Sequence, residues 1–248
     1  MLDSFISAEP TTGATATETL RARAVDIGAR QRRQAALTLL RCVLTEEFPG
    51  RTAVVSSFGV ESALILSLVA EIDPATPVVF LETGKHFPET LAYRDKLARF
   101  LGLRDVRDIK PDSIELAAND PKGDLWQSST DACCGIRKVV PLSRALSGFD
   151  AWITGRKRVH GGERTQLPLV EATEGRFKIN PLIDWSAEEI AAEFRARQLP
   201  VHPLALQGYR SVGCAPCTRK TGDGEDARSG RWAGTEKTEC GIHRAPWF

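Results

Sequence analysis

Short apolar runs alternate with helical patterns along most of the chain. Residues 52–56 form a β-branched run, and apolar positions at helical spacing follow over 63–70. A second apolar run at 77–81 leads into a helical pattern over about 88–100. Further short strands are predicted at 104–109, 151–154 and 177–179, and a further helix begins near Thr130. This alternation is typical of the α/β class, in which helices cover both faces of a parallel sheet.

Two helical patterns, at about 19–28 and 31–47, precede the first strand. Cys42 lies within the second pattern, and no potential partner residue surrounds it. We therefore interpret Cys42 as a small buried hydrophobic residue.

The two ends of the chain differ from this central pattern. Residues 1–18 are rich in Thr, Ala and Glu and are predicted to form a mobile lead-in. From about residue 205 the apolar periodicity gives way to Gly, Arg, Cys and Thr. We predict one α/β domain over 19–204, with 205–248 as a loop-rich tail of the same domain. Something other than a core of its own must hold this tail, and a metal would do so.

Charge and composition exclude several classes of function. The chain has 248 residues, with 33 basic against 32 acidic ones, so no global charge favours a nucleic acid or a membrane surface. No stretch approaches the roughly 18 apolar residues of a membrane span, and the first residues lack the pattern of a signal peptide. We expect a cytoplasmic protein. Thiols stay reduced in that compartment, so the six cysteines indicate metal binding or catalysis.

The loops after three predicted strands are expected to meet in one crevice. Ligands of parallel sheets bind beyond the carboxyl ends of the strands, which lie after residues 56, 81 and 154. The loop Ser56-Ser-Phe-Gly-Val-Glu-Ser62 brings N–H groups and hydroxyls to the positive end of a helix dipole, where an anion can bind. The alternative is a tight turn in which a serine caps the helix. The spacing of a Walker A loop is absent.

A second loop concentrates positive charge. Thr154-Gly-Arg-Lys-Arg158, continuing to Arg164, places four cations directly after a predicted core strand. Guanidinium groups match pairs of phosphate or sulfate oxygens, so this loop is a candidate anion site. A solvated run of charges is the alternative.

Four cysteines form two pairs far apart in sequence, Cys133-Cys134 in a predicted helix and Cys214-Ala-Pro-Cys217 in the tail. Adjacent cysteines close only a strained disulfide ring, so one shared metal site is the simpler interpretation. Four thiolates suit a [4Fe-4S] cluster or structural zinc, and adjacent helical residues fit the tetrahedral angles of zinc poorly, which favours the cluster. A redox CxxC of the thioredoxin type is a further alternative, but it lacks the preceding strand.

Cys240 lies apart from these pairs, in Glu239-Cys-Gly-Ile-His243. Arg244 follows it, and Arg228 and Arg231 precede it. Cations near a thiol lower its pKa and favour the thiolate that attacks electrophiles. Cys240 is therefore a candidate nucleophile, although a cysteine in a tail can also be incidental.

Six segments together resemble the assimilatory sulfonucleotide reductases, and the match runs from about residue 50 to the end. The segments are Ser56-Ser-Phe-Gly-Val-Glu-Ser62, Glu82-Thr-Gly-Lys-His-Phe-Pro88, Cys133-Cys134 with Arg137-Lys138, Thr154-Gly-Arg156, Cys214-Ala-Pro-Cys217 and Glu239-Cys-Gly-Ile-His243. The double-Cys plus CxxC pattern resembles the iron-sulfur branch of that family, whose usual substrate is adenosine 5′-phosphosulfate (APS). The branch that acts on the 3′-phosphorylated form (PAPS) typically lacks these cysteines, so the resemblance favours APS.

The resemblance implies an adenine-nucleotide α-hydrolase-like fold in which residues 56–62 form a modified PP-loop. It implies Cys240 as the nucleophile, His243 close to it, and Lys138 between cofactor and substrate. The implied ligands of a [4Fe-4S] cluster are Cys133, Cys134, Cys214 and Cys217. The implied substrate contacts are Ser56, Ser57, Phe58, Gly59, Glu61, Ser62, Glu82, Thr83, Gly84, Lys85, Gly155, Arg156, Arg228 and Arg231.

The implied reaction is attack of the Cys240 thiolate on the sulfate sulfur of APS, which expels AMP and leaves an S-sulfocysteine. Thioredoxin or a glutaredoxin-type dithiol would then release sulfite. The cysteine supplies the reducing equivalents, so we expect the cluster to act structurally and electrostatically. Two positions depart from the family pattern: Glu82 stands where Asp is common, and the loop from Arg158 to Arg164 is not the usual arginine-rich sequence. The sulfate and ribose contacts of that loop are left open.

Rival functions predict different sequence features. A PP-loop tRNA sulfur-transfer enzyme would carry an SGGxDS-type ATP loop and a broad basic face, and the sequence has neither. A zinc-stabilised binding module would leave Cys240 and His243 without a role. PAPS reduction is the alternative within the family. The sequence leaves the oligomeric state open, a homo-oligomer included.

Overall fold

The computed structural model describes residues 16–244, and six strands in it form one sheet. The strand order is β3-β2-β1-β4-β6-β5. The strands are β1 (Thr52–Val55), β2 (Val78–Leu81), β3 (Val106–Ile109), β4 (Ala151–Ile153), β5 (Val170–Thr173) and β6 (Arg176–Ile179). Neighbouring strands run parallel, except that β5 pairs antiparallel with β6. The predicted α/β class is confirmed, with one antiparallel strand at the edge of the sheet.

Strand β5 has no counterpart among the predicted strands. Its residues alternate between exposed and half-buried, so it lacks the apolar run of a buried strand. Glu174 and Gly175 join it to β6, with φ angles of +53° and +69°. Positive φ at both central residues is the geometry of a tight hairpin, which makes this edge antiparallel.

Helices cover both faces of the sheet, as predicted. They are α1 (Ala16–Arg41), α2 (Ser62–Ile72), α3 (Pro88–Leu101), α4 (Ser113–Asn119), α5 (Leu125–Ser128), α6 (Thr130–Cys134), α7 (Val140–Ala145) and α8 (Ala187–Ala196). π-Helical segments follow α1 and α6, at Cys42–Glu47 and Gly135–Val139. Alternate residues of β1 enter two cores, Val54 with the helices α1, α2, α3 and α8, and Ala53 with Leu142 of α7. Within residues 16–244, no helix combines the length and hydropathy of a membrane span.

Helix α1 is continuous where the sequence pattern predicts two helices with a break near residue 30. Gly28 lies inside this helix, and its position is explained by packing against α8. A Cβ there would lie 2.6 Å from Glu189 Oε1, so glycine lets α1 approach α8 closely. Arg32 supports the same contact through an ion pair with Glu189 at 2.7 Å.

Two predictions near the N-terminus change with the structure. Helix α1 begins at Ala16, within the predicted lead-in 1–18, of which residues 1–15 lie outside the described residues. Cys42 opens a π-helical segment and is half-buried, so the interpretation as a core residue is wrong.

The tail after residue 205 consists of turns and single bridges. Its 3₁₀ turns are Pro203–Gln207, Ala215–Cys217 and Gly241–His243. Isolated β-bridges join Cys214 to His86 and Arg231 to Thr218. The last turn packs against α6 and the π-helical segment that follows it. The division into 19–204 and 205–248 stays a prediction.

A fully buried imidazole lies where α3 meets the start of the tail. His202 Nδ1 accepts a hydrogen bond from the backbone N–H of Leu204 at 3.2 Å, so Nε2–H donates to Thr90 Oγ1, also at 3.2 Å. Burial lowers the pKa of His202 to about 4. The folded protein therefore keeps this ring neutral.

We expect His202 to lower the free energy of unfolding as the pH falls from about 6.5 to about 4, because only the unfolded chain binds a proton in that window. The loss should reach about 3 kcal/mol at pH 4. Urea unfolding of the wild type and His202→Asn, at neutral pH and in acid, measures it. Asn keeps an acceptor for Leu204, so the stability difference between the two proteins should narrow in acid; a constant difference would contradict the linkage.

Candidate active site

A cavity of about 190 Å³ opens at the carboxyl ends of β1 and β4. These strands are neighbours, and the order of the sheet reverses between them, since β2 and β3 lie on the other side of β1. Such switch points form the ligand crevice of open α/β sheets. Residues of the loops 56–62 and 154–164 line the cavity together with parts of the tail. The predicted convergence is confirmed for these two loops and is wrong for the third, because the residues after β2 do not line the cavity.

The loop between β1 and α2 presents the N-terminus of α2 to the cavity. Helix α2 begins at Ser62, with Glu61 at the capping position, and no described side chain caps its first turn. The alternative of a serine cap is therefore wrong, and the positive end of the helix dipole faces the cavity. Three other residues of this loop also line the cavity, namely Ser56, Ser57 and Gly59.

Phe58 is the residue of this loop that turns away from the cavity. Its ring is fully buried and packs edge-on against Phe80 of β2, with 5.6 Å between ring centroids. Its φ of +48° is unusual for a bulky side chain, and Ser56 Oγ accepts its N–H at 3.2 Å. The ring anchors the loop, so a substrate contact by Phe58 could come only from its backbone.

Positive charge dominates the cavity wall. Seven cationic side chains line it against two carboxylates, those of Glu61 and Glu239. The cations are Lys138, Arg156, Lys157, Arg164, Arg210, Arg228 and Arg231. Because the whole chain carries a formal charge of only +1, this excess is local, and the cavity suits an anion.

The basic loop after β4 divides its charges between the cavity and the surface. Arg156 lines the cavity and is buried there beside Glu171, with which it forms an ion pair. Lys157 lines the cavity too, whereas Arg158 turns outward to pair with Asp184. With Arg164, three of the four predicted cations of this loop therefore face the cavity.

Glu239 ties the tail to the arginines of the cavity. Its carboxylate accepts hydrogen bonds from Arg164 at 2.5 and 2.9 Å and a longer one from Arg228 at 3.3 Å. It also accepts the backbone N–H of Cys240 at 2.8 Å. Burial alone would raise the pKa of Glu239, but the hydrogen bonds and charges of these partners hold it well below its usual range. Glu239 is thus an internal counterion beside the candidate nucleophile.

Trp232 is a buried platform for the cations of the tail. The guanidinium group of Arg231 lies 4.6 Å from its ring centroid, and that of Arg228 lies 5.6 Å away. Arg231 also packs directly on Gly213, where a Cβ would come within 2.0 Å of Arg231 Nη2. Glycine at 213 is therefore required for the position of Arg231.

Cys240 lies half-buried on the cavity wall. Four groups lower the pKa of its thiol and outweigh burial, namely the hydrogen-bonding side chain of Cys134, Lys138, the backbone N–H of Ile242 and Arg231. Burial alone would lower the pKa of Lys138, but the facing cysteines Cys214, Cys240 and Cys134 raise it. The lysine therefore stays charged and the thiol ionises readily, which are the properties of a cysteine nucleophile.

His243 follows Cys240 in the same 3₁₀ turn. Its imidazole stacks parallel on Trp152, with 5.9 Å between ring centroids, and its buried Nδ1 has no hydrogen-bond partner among the described residues. Burial, together with Arg156 and Arg164, holds the pKa of His243 well below its usual range. A neutral ring with an unused nitrogen therefore lies next to the candidate nucleophile.

The structure brings the two distant cysteine pairs into one region. Burial raises the pKa of Cys133 and Cys217, and Cys214 and the other thiols of the group raise it further. Cys134 instead contacts Cys240. Three of the four candidate ligands are buried, and Cys217 is half-buried.

The loop after β2 runs between the cysteine pairs and does not line the cavity. Thr83 Oγ1 lies 3.3 Å from Cys214 Sγ, and Arg137 donates to the Thr83 carbonyl at 2.7 Å. A β-bridge between His86 and Cys214 continues this contact. The predicted substrate contacts of this loop stay predictions, and they concern Glu82, Thr83, Gly84 and Lys85.

The thiols do not form a site for a single metal ion. No three Cys, His, Asp or Glu side chains within residues 16–244 converge closely enough to hold one. A [4Fe-4S] cluster gives each cysteine its own iron and needs thiols around a larger body. The four cysteines, three of them buried, fit that donor set.

Several cavity residues were not among the predicted substrate contacts. Lys157 and Arg164 belong to the basic loop, and Glu239 precedes Cys240, so the sequence carries a weak signal for these three. Nothing local marks His160 or Arg210, because only the folded loop and tail bring them to the cavity. The predicted residues that do line it are Ser56, Ser57, Gly59, Glu61, Ser62, Lys138, Gly155, Arg156, Arg228, Arg231, Cys240 and His243.

Comparison with known proteins connects this site to one family. Residues 51–220 match the phosphoadenosine phosphosulfate reductase domain. The chain is 54% identical over 198 residues to a Mesorhizobium japonicum protein named adenosine 5′-phosphosulfate reductase, which covers 80% of this chain and 78% of that protein. It is 39% identical over 231 residues to a Streptomyces coelicolor protein of the same name, covering 92% and 96%.

Solved structures support the fold. A phosphoadenylyl-sulfate reductase from Candida auris superposes with a TM-score of 0.63 at 24% identity, over 85% of this chain and 100% of that one. Yeast FAD synthetase superposes with a TM-score of 0.53 at 14% identity, over 82% and 76%. Both likenesses concern the fold alone, and they agree with the predicted α/β architecture.

We expect Gly213→Ala to displace Arg231 and to weaken the binding of inorganic sulfate by about tenfold, the cost of one charge-assisted hydrogen bond. Isothermal calorimetry of sulfate binding measures this. Gly222→Ala is the matched control in the same tail, because a Cβ there would make only ordinary contacts with Glu225, at 3.7 Å and beyond. Equal sulfate affinities for Gly213→Ala and the wild type would contradict the expectation.

Proposed function

Because the chain belongs to the phosphoadenosine phosphosulfate reductase domain family, we propose that it reduces APS to sulfite and AMP in sulfate assimilation. The observation that carries this proposal is the position of Cys240 on the wall of a cavity lined by seven cations, two of which, Lys138 and Arg231, lower the pKa of its thiol. Relatives named adenosine 5′-phosphosulfate reductase support APS as the substrate. PAPS is the alternative substrate, since the family name covers reductases of that nucleotide.

We propose that the phosphosulfate end of APS lies between the N-terminus of α2 and the tail. The helix dipole and the hydroxyls of Ser56 and Ser62 would face the phosphate. Arg228 and Arg231 would face the sulfate from the side of the tail, beside Cys240. This orientation puts the sulfate sulfur within reach of the nucleophile.

The proposed chemistry has two steps. The Cys240 thiolate attacks the sulfate sulfur, an S–S bond forms, and the bond from sulfur to the phosphate oxygen breaks, its electron pair leaving with AMP. A dithiol reductant then attacks Cys240 Sγ, expels sulfite and restores the thiol as the dithiol becomes a disulfide. Thioredoxin or a glutaredoxin-type protein is the proposed reductant, and the cytoplasm, where thiols stay reduced, is the proposed location.

Attack of an anionic thiolate on an anionic sulfate needs concentrated positive charge. Lys138 and Arg231 both lower the pKa of Cys240, so the groups that generate the thiolate also offset its repulsion from the substrate. Loss of one such aimed group costs on the order of 100-fold in rate. The neutral ring of His243 would orient a substrate oxygen or the leaving AMP.

We also propose that Cys133, Cys134, Cys214 and Cys217 hold a [4Fe-4S] cluster. Bound there, the cluster would tie the tail to α6 and add to the electrostatic field of the site. Arg137 and Thr83 fix the loop that runs between the two cysteine pairs, so the protein itself holds the thiols in place.

A mass measurement tests the proposed reaction. Incubation with APS and no reductant should add the mass of one SO₃ group to the tryptic peptide of Cys240, and dithiothreitol should remove it. Cys240→Ser should gain nothing, and PAPS should label the wild type more slowly than APS. No adduct with either nucleotide would overturn the proposed function, and faster labelling by PAPS would reverse the choice of substrate.

Metal analysis tests the proposed cofactor. Protein purified without oxygen should contain iron and acid-labile sulfide in the ratio of a [4Fe-4S] cluster. Cys217→Ser should lose most of both, whereas Cys42→Ser, which changes a half-buried cysteine far along the chain, should keep them. Zinc in place of iron, or full iron content in Cys217→Ser, would contradict this assignment.

A further inference from the structure

His160 joins two walls of the cavity that are separate in sequence. Its Nε2 lies 3.0 Å from Glu61 Oε2, in the loop before α2, and its Nδ1 lies 3.2 Å from Arg164 Nη1. The His160 side chain is only 15% exposed, so these contacts are shielded from water. Neither the basic loop nor the PP-loop-like segment predicts such a link.

The chemistry of the two partners decides the protonation of the ring. Arginine carries no acceptor, so Nδ1 must accept from Arg164, and Nε2–H must donate to Glu61. Only the neutral imidazole satisfies both contacts. Burial, with the charges of Lys157 and Arg164, lowers the pKa of His160 against the opposing effect of Glu61, in agreement with a neutral ring.

The contacts continue without a break to the nucleophile. Arg164 donates to both carboxylate oxygens of Glu239, and the same carboxylate accepts the N–H of Cys240 at 2.8 Å. A hydrogen-bonded chain therefore runs from Glu61 through His160, Arg164 and Glu239 to Cys240. At its other end Glu61 also binds Lys157 Nζ at 2.9 Å, beside the proposed phosphate site.

We propose that His160 is a positioning residue that holds Arg164 and Glu239 so that the Cys240 backbone, and with it the thiol, stays aimed at the substrate. The proposal rests on the proposed function, since it concerns the step in which Cys240 attacks. His160 acts through Arg164 and makes no bond that changes in the reaction. Its loss should therefore slow the attack while leaving the binding of the nucleotide nearly intact.

Two substitutions cut this chain at different points. His160→Gln can keep the donor to Glu61 but loses the acceptor for Arg164, and His160→Asn can keep the acceptor but does not reach Glu61. Each should slow single-turnover formation of the Cys240 adduct from APS by about tenfold, the effect of one hydrogen bond. The affinity for AMP, measured by calorimetry, should stay within about threefold. Val159→Gln is the control, because Val159 is exposed in the same turn and should change neither quantity.

A double substitution tests whether these hydrogen bonds act as one connected series or as independent contacts. Since His160 and Glu239 act in series, His160→Asn with Glu239→Gln should be no slower than the slower single variant. If the two losses in adduct rate instead multiplied to about 100-fold, the proposed series of hydrogen bonds would be overturned. Unchanged adduct rates in both His160 variants, or a loss of AMP affinity as large as the loss of rate, would overturn it too. A wild type that forms no adduct would instead remove the proposed function, so the two failures are distinguishable.

Discussion

Mutual repulsion among seven cations in one cavity is the constraint to which the rest of the site responds. Two carboxylates of the cavity wall reduce this repulsion. Glu61 pairs with Lys157, and Glu239 lies between Arg164 and Arg228. They neutralise part of the charge and leave a positive excess for an anionic ligand. Because the arginines are already oriented by these counterions and by Trp232, anion binding requires little reorganisation, which is the condition for strong electrostatic stabilisation of a transition state.

The same contacts position a tail that lacks a core of its own. Glu239 holds it to the basic loop, the approach of Arg231 to Gly213 closes it on itself, and Cys214 joins it to the loop after β2. The segment that carries Cys240 is therefore held by polar contacts rather than by apolar packing of its own. Cys134 contacts Cys240, so the proposed cofactor site and the proposed nucleophile are contiguous.

Some secondary-structure elements could be predicted from the sequence and others could not, and particular residues show why. Buried strands such as β1 and β2 are short apolar runs. Their positions can be predicted from the sequence, because a parallel strand buried on both faces must be apolar throughout. Strand β5 carries no such run, since its antiparallel pairing comes from a hairpin at Glu174 and Gly175. The predicted helix over 19–28 ends at Gly28, but in the structure this glycine lies inside α1 and permits its close packing on α8, a role that depends on a residue far along the chain, Glu189.

The sequence by itself determined the α/β class, two of the three loops predicted to meet at the cavity and the four paired cysteines with Cys240 apart, because each depends on local periodicity or on residue type and spacing. Only the tertiary structure decided which charges face inward: Arg158 turns to the surface, the loop after β2 lies by the cysteines, and His160 meets both Glu61 and Arg164. These facts depend on side-chain direction across segments far apart in the chain. No local pattern encodes that direction, because it follows from how the loops and the tail pack on the completed sheet.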